Sequence, residues 1–238
     1  MAVVVVAGFS TQLAMGRSSF GSPLRVHIHA IVFMGWVALF VAQSWLATRG
    51  PLALHRKLGW IAVGWLALMV TTALTVIVVA ARGGTVPFFF APQRFVISNP
   101  ASILCFVALT GSAIMRRRET DWHARLHVCG MASIMGPAFG RLLPMPLLIP
   151  WAFECALAAG LVFPLVGALR DRRALGRAHP AWWWGIGAIV ATMVLSNLVA
   201  LSPLGDAIYA GVTADSPGAA VPGLAYPPPP NTPLLTGR

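Results

Sequence analysis

The stretch LGWIAVGWLALMVTTALTVIVVAA, residues 58–81, decides the fold. It carries no charged side chain, and as an α-helix it would be ~36 Å long at 1.5 Å per residue. A bilayer's hydrocarbon core, about 30 Å thick, needs about 20 mostly apolar residues to cross it. Five further segments meet the same requirement: 27–47, 95–115, 122–141, 147–169 and 180–204. Pro100 falls near the start of the third segment in chain order, and Pro137 interrupts the fourth. A lipid-exposed strand edge would leave backbone groups without partners, so all six are expected to be helices. The expected fold is all-α: a polytopic membrane helix bundle of six spanning helices. Residues 1–204 would form one transmembrane domain and 205–238 a flexible, Pro-rich tail containing AYPPPPNTP. The run AVVVVAGF at 2–9 is too short to span and reads as a partial N-terminal helix, either the outer half of a longer one or an interfacial, partly inserted piece.

Composition agrees. Of the 238 residues, 58% are apolar and only 10% are charged, with a mean hydropathy of +0.77. A soluble domain carries about 25% charged residues. The net charge is +11. In a soluble chain that would point to nucleic acid. Here 11 of the 17 basic residues fall in three short loops: Arg49, Arg56 and Lys57; Arg116, Arg117, Arg118 and Arg125; Arg170, Arg172, Arg173 and Arg177. Alternate loops rich in Lys and Arg are the signature of cytoplasmic orientation. The charge therefore sets topology and excludes a nucleic-acid partner. The expectation is a multi-pass protein of the cell inner membrane, with its basic loops cytoplasmic and its C-terminal tail outside. Trp45, Trp60, Trp122 and Trp182–Trp184 mark the basic side, and Trp151 marks the other. Cys105, Cys129 and Cys155 lie singly in apolar runs, as small buried hydrophobes would. The partner named by this composition is the lipid bilayer, and a homo-oligomer stays open.

Polar residues inside spans are costly and mark candidate sites. His29, Trp36 and Gln43 stand seven apart, a spacing that drifts only about 20° around a helix, so they share one stripe facing the bundle interior. The stripe suits either interhelical packing or the handling of a proton or small solute. His55, in LHRKLG, and His123, in WHARLH, open their helices in similar settings, as a weak internal repeat would. His127 comes after His123 at i+4 on the same face. His55, His123 and His127 are therefore candidate ligands for a divalent metal or one b-type haem, neither of which the spacing favours. Arg141 and Glu154 flank one loop and are expected to form an intramembrane ion pair. Gly136 and Gly140 make a GxxxG, which suits close helix approach and an assembly role. There is no GxGxxG, GxxxxGK[ST], GxSxG or HExxH, and Glu154 is the one acid well inside a span, so the sequence leans away from an enzyme.

The elements AGFS (7–10), PLRVHIHAIVFMGWVALFVAQSWL (23–46), LHRKLG (54–59), DWHARL (121–126), GRLLP (140–144) and HPAWWWG (179–185) together resemble an uncharacterised family of bacterial multi-pass inner-membrane proteins. The resemblance covers the chain to about residue 210. It implies topology and important positions rather than a reaction. A complete helix precedes AGFS in that family, which implies an N-terminally shortened chain here. His123 and Arg125 match the family's H-x-RL pattern, and Arg141 matches at the end of the same segment, whereas His127 replaces an apolar position. That replacement weakens a three-histidine metal site.

Overall fold

In the computed structural model, which describes residues 1–18 and 20–229, every regular element is a helix. Helix α1 (Ala2–Ala14) is followed by α2 (Leu24–Arg49), α3 (Leu52–Arg82), α4 (Pro92–Met115), α5 (Thr120–Ser133) and α6 (Gly136–Leu142). Then come α7 (Ala152–Gly160), α8 (Val162–Leu175), α9 (Pro180–Ala200) and α10 (Pro203–Thr213). Five helical segments are long and apolar enough to cross a membrane: α2, α3, α4, α7 with α8 taken together, and α9.

The expected span 122–141 is instead two shorter helices, and the cause is local. Pro137 has no N–H to give the carbonyl of Ser133, four residues back, and its ring crowds that carbonyl. Helix α5 ends at Ser133, and α6 restarts with proline in its first turn. The same rule explains the joint between α7 and α8. Pro164 lies four residues after Gly160, where α7 stops.

α2 and α3 form an antiparallel hairpin. The Gln43 amide nitrogen donates to the His55 carbonyl at 3.1 Å, and the Trp65 indole donates to the Val32 carbonyl at 2.8 Å. α3 begins six residues before the apolar run, because Pro51 starts the helix and His55, Arg56 and Lys57 complete its first turns. α4 and α5 turn back on each other through Arg116–Glu119. The main core joins α4, α5, α7, α8 and α9 around Leu109, Leu126, Cys129, Leu157, Trp182 and Ile189. A second core joins α1, α2, α3, α4 and the α5–α6 break around Trp36, Met69, Phe106 and Met135. The close helix approaches do not use Gly136 and Gly140. An added Cβ on Gly136 would meet nothing within 4 Å, and one on Gly140 would meet only the Met145 side chain, from 3.6 Å. On Gly160 it would lie 2.6 Å from the Ala132 carbonyl oxygen, and on Gly185 it would fall onto the Cys129 sulfur. Those two glycines let α7 and α9 sit against α5.

The tail expected to begin at 205 is ordered well past that point. Pro203 opens α10, and the Tyr209 ring is buried against Ala81 and Val96. Its hydroxyl donates to the carbonyls of Gly218 (3.2 Å) and Val221 (3.0 Å), and burial pushes the phenol pKa up. Gln93 ties the same region down from three sides. Its backbone N–H donates to the Gly223 carbonyl (2.8 Å), and its side-chain amide donates to the Ala200 carbonyl and to Asp206, both at 2.7 Å. Residues 230–238, which hold the end of the proline run, lie outside the described residues.

Candidate functional site

The three basic loops lie at one end of the bundle. His55, at the start of α3, faces His123, at the start of α5, with ring centroids 6.2 Å apart. Arg125 of α5 reaches α8, where its Nε donates to Asp171 at 2.7 Å and a terminal nitrogen donates to the other carboxylate oxygen at 3.1 Å. A second terminal nitrogen pairs with Asp121 at 2.9 Å, and the Trp182 indole of α9 donates to Asp171 at 2.7 Å. One arginine thus locks three helices where they meet the basic loops. Sequence reading passed over Asp171 because it sits in an arginine-rich run. Its signal was that it is the one acid in that run. Trp182 is accordingly buried, while Trp183 and Trp184 stay exposed, so the three tryptophans do not share the interfacial role expected of them.

The stripe on α2 faces inward. Trp36 is 6% exposed and packs edge-on against Phe106 of α4, with centroids 5.2 Å apart. His29 stacks on Phe33 at 4.3 Å. Each stripe residue holds a buried polar atom with no protein partner: Nδ1 of His29, Nε1 of Trp36 and Oε1 of Gln43. His55 continues the row at the basic end, with Nδ1 also unpartnered. A stripe that served packing alone would satisfy these atoms between helices, because each one left bare in hydrocarbon costs on the order of 1–3 kcal/mol.

The histidines at the basic end come together as their positions suggested. His127 lies edge-on to His123 at 4.6 Å, one turn further into the membrane. A nitrogen of His123, Nδ1, is 2.8 Å from the Ala113 carbonyl oxygen. A carbonyl only accepts, so Nδ1 carries a proton and Nε2 is the nitrogen left for another partner. The three rings nevertheless do not make the three-donor cage considered from spacing. Among the described residues no three His, Cys, Asp or Glu are arranged to hold a metal ion. Two of the three, His123 and His127, share one helix and pack edge-to-face.

The expected Arg141–Glu154 pair is not formed. Glu154 accepts instead from Arg94 at 3.3 Å and from the Asn197 amide at 2.9 Å, joining α7 to α4 and α9. Arg141 lies over the Phe9 ring of α1, its guanidinium carbon 3.9 Å from the centroid. Its Nη1 donates to the Pro137 carbonyl at 2.7 Å. The break before Pro137 turns α6 toward α1, where Arg141 meets Phe9. The close approach of α1 and α6 agrees with that placement. An added Cβ on Gly8 would lie 2.7 Å from the Ala138 carbonyl oxygen, and Gln12 donates to the Arg141 carbonyl at 3.1 Å. Comparison of the chain with protein-family models, curated proteins and solved structures finds no match.

Proposed function

We propose that this chain is a multi-pass protein of a bacterial inner membrane whose α2 stripe lines a path for protons or a small polar solute. Six crossings make up the bundle, with α5 and α6 together forming a broken sixth. The basic loops face the cytoplasm, and α10 with the tail lies outside. The observation that carries the reading is the row of unpartnered buried polar atoms. It runs through His29, Trp36 and Gln43 to His55, from one end of α2 to the start of α3. Irregular or unsatisfied polar groups are tolerated at membrane depth where they line a hydrated cavity. The broken helix α5–α6 beside the stripe is the form such paths take in discontinuous-helix transporters.

The test is proton flux in proteoliposomes under a clamped membrane potential, followed with an internal pH dye. Wild type should acidify the lumen faster than empty vesicles. Trp36→Phe, which removes the indole N–H but keeps an aromatic ring, and Gln43→Leu should slow it several-fold. If both variants fold and conduct like wild type, or wild type matches empty vesicles, the path is refuted for protons. Counterflow of small labelled solutes then decides the rest.

A second reading, a redox protein with haem b or a metal clamped between His55 and His123, is supported by one distance. Two imidazoles bound on opposite sides of one metal, with metal–nitrogen bonds of about 2.0 Å, put their ring centroids roughly 6 Å apart, and these stand at 6.2 Å. A Soret band at stoichiometric intensity, or one equivalent of bound metal, lost in both His55→Ala and His123→Ala, would establish it. A colourless, metal-free protein after expression with haem and metals supplied would remove it.

A further inference from the structure

We propose that the end of α6 carries a binding site for a small planar monovalent anion of the carboxylate type, held by Arg141. The inference rests on the path just described, whose mouth away from the basic loops this would be, and it names the kind of solute that enters there.

Arg141 is a cation with no acid. The chain has six acidic residues, and all are placed. Glu119 pairs with Arg116, Asp121 and Asp171 with Arg125, and Glu154 with Arg94. Asp206 accepts from Gln93, and Asp215 lies beyond α10. None of them is bonded to Arg141. A guanidinium at the edge of a bilayer usually escapes by stretching to water, but this one is folded back. Phe9 covers one of its faces at 3.9 Å, and Nη1 is spent on the Pro137 carbonyl of its own helix. The carbonyl of Arg141 is itself held by Gln12. The guanidinium is thus fixed in place with one edge unused, and on that edge Nε is buried and has no partner.

That edge presents the Nε–H beside the second terminal nitrogen, two parallel donors whose spacing matches the two oxygens of a carboxylate. A spherical halide uses the fork less well, whereas phosphate oxygens match it too, so the experiment separates a carboxylate from a phosphate headgroup. Toward the same end of the bundle, on α2, Nδ1 of His29 is also buried without a partner. Both groups sit on elements tethered to α1 and α3, so little ordering is left for the ligand to impose.

The experiment is thermal unfolding of the purified protein in phospholipid-free detergent. Sodium acetate or formate is titrated against sodium chloride at matched ionic strength, for wild type, Arg141→Gln, Arg141→Lys and the control Arg49→Gln. A saturable rise in Tm with acetate is expected in wild type and in Arg49→Gln, smaller in Arg141→Lys and absent in Arg141→Gln. Should Arg141→Gln not fold, line broadening of carbon-13 acetate by wild type, reversed by nitrate but not by chloride, replaces it. Equal responses in wild type and Arg141→Gln, or no broadening, overturn the proposal. So does an Arg141-dependent rise seen with phosphatidylglycerol and not with acetate, which would make the site a lipid headgroup site. Binding is read without transport. Acetate binding in a protein that conducts nothing would therefore keep the site and sink the path, and the converse would sink the site alone.

Discussion

Removing the Arg125–Asp171 contact should loosen the basic end of the bundle by a measurable and specific amount. The two side chains are 14% and 16% exposed and meet through two parallel hydrogen bonds of 2.7 and 3.1 Å. At an effective dielectric constant near 20, opposite charges at this range attract by about 4 kcal/mol. Desolvation and the ordering of two side chains take back part of that, and hydrogen bonds between charged groups return about 1.5–3 kcal/mol. The net pair coupling should be about 2 kcal/mol. A double-mutant cycle with Arg125→Met and Asp171→Leu isolates it, because the loss of Asp121's partner occurs equally in the single and double changes of Arg125. Reversible unfolding in mixed micelles reads each ΔG. The pair Arg116–Glu119, 43% and 55% exposed at the same end of the molecule, is the internal control and should couple by less than about 1 kcal/mol. If the Arg125–Asp171 coupling falls to the control's level, the three-helix lock is not where the structure puts it.

A periplasmic–cytoplasmic reporter fused after Arg118 should read cytoplasmic and one fused after Arg94 external, and the reverse pattern would invert every side assignment. Glu154→Ala should lower folding yield more than Glu154→Ala with Arg94→Ala, whereas adding Arg141→Ala should rescue nothing; rescue by Arg141→Ala would restore the pairing first expected from sequence. Gly185→Ala should cost about 1–3 kcal/mol by driving its methyl onto Cys129, while Gly187→Ala, with nothing within 4 Å, should fall within about 0.5 kcal/mol of wild type or gain slightly. Equal effects of the two glycine changes would mean that α9 does not pack on α5 this closely.

The long helices were legible because hydrophobic length is a one-dimensional signal, and residues 58–81 need no partner to be recognised as a span. The inward stripe of α2 was legible for a similar reason, since a seven-residue spacing stays on one face whatever the neighbours do. What failed needed the third dimension. Arg141 and Glu154 are close in sequence, and two straight antiparallel helices would bring them together. The break at Pro137 gives α6 its own direction, and direction after a break is not encoded in spacing. The tail was misread on composition. The proline run AYPPPPNTP coloured the reading of everything from 205 on, yet the residues before it continue a helix that Pro203 opens at its first turn, where a missing N–H costs nothing. Asp171 was hidden among arginines, because charge counting sees a net sum and not the one acid that a buried arginine selects.

Buried polar groups in this bundle divide into two kinds by whether the protein answers them. Around α4, α5, α7, α8 and α9 the strong charges have partners: Arg125 two acids, Asp171 an indole as well, and Glu154 an arginine and an amide on Oε1, with Oε2 left bare. Such networks cost little once complete and fix one packing. Around α2, α3 and α6 the opposite holds. Five of the eight unpartnered buried polar atoms among the described residues belong to His29, Trp36, Gln43, His55 and Arg141. Lipid cannot hydrogen-bond, so selection for stability alone would not leave these polar atoms without partners. Their presence on one side of the molecule, beside a helix broken by Pro137, is a stability cost borne where a guest can offset it. The matched half is rigid enough to carry that cost, because its interhelical ties do not pass through the stripe. A matched pair of substitutions makes the division measurable. Trp36→Phe, which keeps a ring against Phe106 and removes the unpartnered N–H, should leave unfolding free energy within about 1 kcal/mol of wild type, while Trp182→Phe should lower it by about 1–3 kcal/mol through the lost hydrogen bond to Asp171, whose oxygen keeps Arg125. Destabilisation of similar size on both sides would show that the stripe is structural after all.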